Sequence, residues 1–357
     1  MSSFFASAVC RLQYPYQILR NKFLGTQNPL IVVLVVNNAC NLKCKYCFGQ
    51  YCNRTKAEDF STQELKGIID ELYRLGTRLL TVHGGETLLR EDIGEIVRYM
   101  KAKNMYVNLI TNGILLESKL EQVRLVDSLC ISLDGREEGN DLNRGKGAYQ
   151  AALRAIRLAK KEGIRLRVHA TITRHTKNDV GFLAQLAKEI GFSQEFSVLY
   201  ACGGVSENME ELSISDAETK EVIRDIVAWK KKGYPIYTAE RVLENAINWP
   251  APYSKPFFRQ EEIPQGFKSI PCHYGRTKFI LDADGKVYPC FALLDSFDAL
   301  NVRAVGVKKA IEHARAARTC SACVHLTNND HNLLLGFSPR HVFKQCILQL
   351  KELTNRY

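Results

Sequence analysis

From residue 30 to about residue 232 the chain alternates short apolar runs with longer segments of helical period, and few folds accept that pattern. The runs at 30–36, 78–83, 106–111, 128–133, 165–173 and 196–200 are rich in Val, Ile, Leu or Phe and read as strands. Helical patterns lie between them at 62–75, 91–103, 117–126, 148–162 and 178–190, with another at 215–232. Ser61 and Glu64 give the first helix a Ser-x-x-Glu capping box. Such alternation calls for a parallel sheet with helices outside it. Six repeats make a partial (β/α)6 barrel, two units short of an eight-fold one. At 357 residues there is material for one large core and a smaller appendage, and 46% apolar content excludes a disordered chain. The longest apolar run, 30–36, is far too short to span a membrane.

The rhythm breaks over 233–271, which holds Pro235, Pro250, Pro252, Pro256, Pro264 and Pro271 and reads as a connecting segment. Beyond it, KFILDADGKVYPC predicts a β-hairpin turning at Asp284-Gly285, followed by helical patterns at 305–318 and 339–353. The expected division is a basic, apolar segment 1–28, a barrel 29–232, the connector, and a small α+β module 272–357. The start MSSFFASAVCRLQ lacks the charged-then-apolar pattern of a signal peptide. Net charge is +11, and no acid precedes Glu58. A basic face that binds anionic groups explains this. So does docking of residues 1–28 on an anionic membrane surface at the inner face, where Phe4, Phe5, Phe23 and Leu24 mingle with Arg11, Arg20 and Lys22. No recognition motif supports nucleic-acid binding. The twelve cysteines cluster at metal-like spacings, which fits a reducing cytoplasm better than a disulfide framework.

Cys40, Cys44 and Cys47 stand as Cys-x3-Cys-x2-Cys directly after the first strand. Three thiolates on one loop are a metal site short of one ligand. Structural zinc closes with four protein ligands, which Cys52 or a distant His would complete. An iron–sulfur cube on three cysteines instead keeps one iron open. The spacing, with the aromatic Tyr46 before the last cysteine, resembles the radical S-adenosylmethionine (SAM) superfamily. That resemblance implies a 4Fe–4S cluster whose open iron is chelated by SAM, and reductive cleavage of SAM to a 5′-deoxyadenosyl radical. It also implies that Gly84, Gly85 and Glu86 in TVHGGETLLR bind the SAM amino group, although Thr87 stands where the family has Pro. Asn112, at the end of the third strand, belongs to the expected cofactor site. Ser132 and Asp134, after the fourth strand, are expected near the SAM ribose or carboxylate; helix caps and turns are the alternative role. Arg144 is expected to pair with the SAM carboxylate.

Cys272, Cys290, Cys320 and Cys323 form a second, complete set of four. Their arrangement resembles the SPASM module or its shorter twitch form, which implies an auxiliary 4Fe–4S cluster; four thiolates also suit zinc. His273, His325 and His331 lie nearby, and Cys346 reads as a core residue. A fully liganded auxiliary cluster implies electron transfer and a redox modification of substrate. Cys202, after Tyr200 at the end of the sixth strand, is a candidate hydrogen-atom donor or a small packing residue. The expected substrate is a small molecule or a lipid, and the expected reductant is a flavodoxin or ferredoxin. A peptide-modifying maturase and a zinc-binding scaffold are the alternatives.

Overall fold

The computed structural model describes residues 16, 19–21, 23–47, 58–200, 209–294 and 297–336. Six strands, β1 Ile31–Val35, β2 Leu79–His83, β3 Tyr106–Thr111, β4 Ser128–Ser132, β5 Leu166–Ile172 and β6 Ser193–Val198, lie parallel and in chain order. The helices α1 Thr62–Arg74, α2 Ile93–Ala102, α3 Leu116–Val123, α4 Glu137–Arg144, α5 Ala148–Lys161 and α6 Val180–Ile190 connect them, and α7 Asp216–Lys231 follows β6. This is the α/β sheet that the alternation predicts.

Each element follows from its side-chain period. In α1, Leu65, Ile68, Ile69 and Leu72 recur on one face and are buried, and Ser61 and Glu64 form the expected capping box. All five residues of β1 are buried, as in a strand covered on both faces. β5 shows how the interior is made: Val168, Ala170 and Ile172 are fully buried under the helices, while Arg167, His169 and Thr171 line a central cavity. Alternation along a strand thus sends apolar residues outward to the helices and polar residues inward to the site.

Two elements differ from the sequence expectation. β6 begins at Ser193 rather than residue 196, because its opening Ser-Gln-Glu is polar yet buried. α4 carries no apolar stripe; its buried residues are Gly139, Asn140, Asn143 and Arg144, so period alone misses it.

The C-terminal part joins the barrel more closely than its sequence suggests. β7 Phe257–Phe258 lies in the proline-rich segment, as does helix α8 Glu240–Ile247. The hairpin of β8 Lys278–Leu281 and β9 Val287–Tyr288 turns at Asp284-Gly285 as expected. However, β8 pairs in parallel with β1, Ile31 opposite Lys278, and extends the barrel sheet. The free edge of β1 is thereby covered, which an all-apolar strand requires. Helix α9 Val307–Ala316 packs on α1; β10 Ala322–Cys323 pairs antiparallel with β7, and α10 Leu326–Leu335 packs against β6 and α8. Cys202, Cys52, Cys346, the expected helix at 339–353 and most of residues 1–28 lie outside the described residues.

Candidate active site

A cavity of about 690 Å³ runs through the barrel, and most expected site residues meet on its wall. Cys40, Cys44, Cys47, Tyr46, Gly84, Gly85, Glu86, Asn112, Ser132 and Arg144 all line it. Asp134 does not; it is fully buried behind the wall.

The cysteine loop is held by backbone and by charge. The Cys47 amide donates to the Cys44 carbonyl at 3.1 Å, and the Lys45 amide donates to Asn143 at 2.9 Å. Behind the loop, Arg144 donates to both oxygens of Asp134, Nε at 2.9 Å and Nη2 at 2.8 Å. The Tyr46 hydroxyl donates to the same carboxylate, and the Arg144 guanidinium lies 5.5 Å from the Tyr46 ring centre. Asp134 and Arg144, expected separately near SAM, thus meet each other. They are one bidentate pair that positions Tyr46, and only Arg144 reaches the cavity. Burial pushes the Cys44 thiol up to about 12, and the nearby Arg144 charge opposes it.

Gly84 and Gly85 also let two stretches of backbone meet. The Gly85 and Glu86 amides bond to the Asn37 and Ala39 carbonyls at 2.9 and 2.8 Å. A Cβ on Gly85 would stand 2.3 Å from the Ala39 carbonyl oxygen, and one on Gly84 2.0 Å from Asn37 Oδ1. The glycines thus let the lead-in to Cys40 lie directly on the end of β2. Glu86 accepts from Thr111 Oγ1 at 2.6 Å and from the Leu88 and Asn112 amides at 3.0 and 2.7 Å. Burial nevertheless holds its carboxyl above the usual range. Thr87 is buried, and its hydroxyl ties the turn to the Ile110 carbonyl at 2.9 Å, a bond proline cannot make. Asn112 spans to the cysteine loop, donating to Asn41 Oδ1 at 2.7 Å.

The second cysteine set also converges. Cys272, Cys290, Cys320 and Cys323 are all buried and line one small cavity. The β7–β10 pairing places the Cys320–Cys323 turn, and the Cys272 amide donates to the Ser321 carbonyl at 3.0 Å. The Cys272 thiol donates to Cys320, which pulls the Cys320 thiol down and pushes Cys272 up. Tyr274, Ala292, His325 and Asn328 line both cavities, so a single layer of side chains separates them.

Both sets suit iron–sulfur ligation by their own chemistry. None of the eight described cysteines is in a disulfide. Peptide N–H groups point at sulfur in each set, Leu42 to Cys40 Sγ at 3.4 Å and Ala292 to Cys290 Sγ at 3.2 Å. Such donors stabilise negative charge on sulfur, the form that binds metal.

Several lining residues were missed from sequence. Arg167, His169 and Glu195 enter from β5 and β6, Lys278 from β8, and Thr327 from α10, where His331, expected near the second cysteine set, lines the cavity too. Lys278 donates to the Tyr274 hydroxyl at 2.6 Å and lies 3.0 Å from His331 Nδ1. Burial draws its ammonium down to about 7, although Glu195 opposes the shift. The alternation within β5 was a usable signal; the position of α10 was not.

The α/β barrel thus carries a thiol-bearing loop at the carboxyl ends of its strands, opening on a cavity. Residues 34–211 match the family described as Radical SAM superfamily. The chain belongs to that superfamily. Its cofactors are accordingly SAM and iron–sulfur clusters of the 4Fe–4S kind. The chain is 33% identical over 194 residues to the Fe-coproporphyrin III synthase of Methanosarcina barkeri, which covers 52% of this chain and 48% of that enzyme. It thus spans about half the length of that relative. It is 28% identical over 321 residues to the mycofactocin maturase MftC of Mycolicibacterium smegmatis, covering 84% and 77%. Among solved structures it is similar to anSMEcpe with bound AdoMet, at a TM-score of 0.60 and 18% identity, covering 88% and 98% of the two chains. That likeness concerns the fold.

Proposed function

We propose that Cys40, Cys44 and Cys47 hold the SAM-binding 4Fe–4S cluster and that Cys272, Cys290, Cys320 and Cys323 hold an auxiliary one. When bound there, the cluster and SAM would supply radical chemistry through one-electron reductive cleavage of SAM, the electron coming from an external reductant, for a redox modification of the substrate. The observation that carries this reading is spatial. The three-cysteine loop, Glu86 and the layer covering the four-cysteine set all face one cavity. The second set is complete and buried, so its role is electron transfer rather than substrate binding.

This chain's own groups do the positioning. An ionised carboxylate has about four acceptor sites. Three protein donors already reach Glu86, which leaves room for one N–H of the SAM amino group. Arg144, turned by Asp134, presents its remaining N–H groups towards the SAM carboxylate. Ser132 and Asn112 line the same end of the cavity. Cys202 stays a candidate hydrogen-atom donor to a product radical.

The substrate is a small molecule or lipid-like compound, and the electron donor a flavodoxin or ferredoxin. The likeness to a synthase of Fe-coproporphyrin III supports a small substrate. The likeness to MftC over most of both chains supports a second reading, a peptide-modifying maturase. Among the described residues no helix is long and apolar enough to cross a membrane. A cytoplasmic enzyme, docked on the inner membrane face through residues 1–28, is the corresponding proposal for its location.

The test is reductive SAM cleavage. With dithionite and SAM, the anaerobic wild-type protein should form 5′-deoxyadenosine, and the variant with Cys40, Cys44 and Cys47 all replaced by Ala should form none. Formation by the triple variant would falsify the ligand assignment.

A further inference from the structure

The cavity has a second polar end. The SAM end lies at the carboxyl ends of the strands, with Gly85, Asn112 and Ser132. At the amino ends, Arg165 stands just before β5, Arg167 is the second residue of β5, and Lys278 opens β8. All three line the cavity. Arg167 and Thr171 are four residues apart on one strand face, so the two ends are separated by about 13 Å at roughly 3.3 Å per residue.

Basic side chains outnumber acids on this wall. Arg165, Arg167 and Lys278 line it, and Glu195 is the acid that lines it with them. Glu195 is buried and meets Arg167 at 3.8 Å, a loose contact. Lys278 is 3% exposed, and its hydrogen-bond partners are the Tyr274 hydroxyl and the His331 ring. Arg165 donates to the Tyr106 hydroxyl at 3.2 Å, and Arg167 lies 4.7 Å from the Tyr237 ring centre. A buried cation is costly without an anion close enough to complete it, and Lys278 has no carboxylate within ion-pair distance among the described contacts. Arg167 and Lys278 come from opposite arms of the sheet, β5 and β8, with α10 closing the gap between, so they converge on the cavity rather than on each other.

We propose that the amino-end floor of the barrel is an anion subsite that takes a carboxylate of the substrate, with Arg167 and Lys278 as its recognising groups. The inference deepens the radical SAM reading above, because it assumes that the substrate's reacting carbon sits at the other end of the same cavity. A planar guanidinium matches the two oxygens of a carboxylate, and the ammonium on the facing wall offers a further donor. The substrate is then elongated, reaching about 13 Å from carboxylate to reacting carbon by the same strand spacing. A neutral analogue would leave the floor unpaired, and hydrogen bonds to charged groups separate the two by roughly tenfold to hundredfold.

The probe is dansyl-undecanoate, a slender carboxylate long enough to reach the floor, with its methyl ester as the neutral twin. Dansyl emission is titrated on the anaerobic, SAM-saturated holoenzyme. The acid should bind at least about tenfold tighter than the ester. Lys278→Met should weaken the acid by about tenfold and leave the ester unchanged, and Lys278→Arg should restore acid binding. Equal binding of acid and ester, binding of neither, or wild-type acid affinity in Lys278→Met overturns the proposal. The acid–ester comparison needs no variant, so a folding defect does not blunt it. Formation of 5′-deoxyadenosine in the same samples reports separately on the radical SAM reading.

Discussion

Gly85 and Asp134 carry the site's geometry, and both can be tested singly. A Cβ at Gly85 would press on the backbone oxygens of Ala39 and Asn38 at 2.3 and 2.5 Å, just ahead of Cys40. Gly85→Ala should therefore lower stability by about 1–3 kcal/mol, as overpacking does, and reduce iron bound at the loop; thermal unfolding and iron content measure both. Asp134→Asn removes the partner of the buried Arg144. Breaking such a pair costs about 3–5 kcal/mol, whereas replacing both members with apolar residues costs far less. Asn keeps an acceptor for the Tyr46 hydroxyl and the Thr171 amide, so denaturant unfolding should show Asp134→Asn with Arg144→Met, which removes the stranded charge, to be milder than Asp134→Asn alone. At this scale the sequence made the cysteines and the Gly-Gly-Glu run legible, because their spacing is local. It could not show that Asp134, just after β4, and Arg144, at the end of α4, bond to each other, since no local signal reports a partner ten residues away.

The β8–β9 hairpin was legible as an element, from Asp284-Gly285 between apolar runs, but its place in the sheet was not. Parallel pairing of β8 with β1 joins residues far apart in sequence, and no local signal reports a partner. Its consequence is testable. A chain ending at residue 271 would expose the edge of β1, five buried apolar residues in a row. That fragment should aggregate on expression, and a soluble, monomeric 1–271 by size-exclusion chromatography would contradict the pairing. Gly285 has φ +89°, and a Cβ there would meet Asn301 Oδ1 at 2.6 Å. Polar elements hid for a related reason: α4 and the start of β6 bury Asn143, Arg144, Gln194 and Glu195 around the cavity, where an interior site replaces the apolar period.

Across the whole molecule, barrel and C-terminal part are fastened by the shared sheet and by side chains between α1 and the segment before α9. Arg303 donates to Glu64 at 2.7 Å, and its hydrogen bond is the largest cause holding the Glu64 carboxyl down at about 2. A carboxyl depressed in the folded state adds stability above its unfolded pKa and loses it as pH falls towards the folded value. This contribution should therefore fade from about pH 4.5 down to about 2. In Arg303→Met the acid-induced loss of stability over that window should be smaller than in wild type; chemical denaturation at several pH values measures it, and identical slopes would remove the contact from the account.

The central claim is that two cysteine sets hold two cubes beside one cavity. Iron and acid-labile sulfide, counted on anaerobically reconstituted protein alongside its visible spectrum, test it most directly. Two cubes predict about eight irons per chain with a broad band near 400 nm, as expected for iron–sulfur clusters. About four should remain when Cys40, Cys44 and Cys47 are replaced, and about four when Cys272, Cys290, Cys320 and Cys323 are. Zinc in place of iron, or a count near four in the wild type that vanishes with either set, would contradict the account.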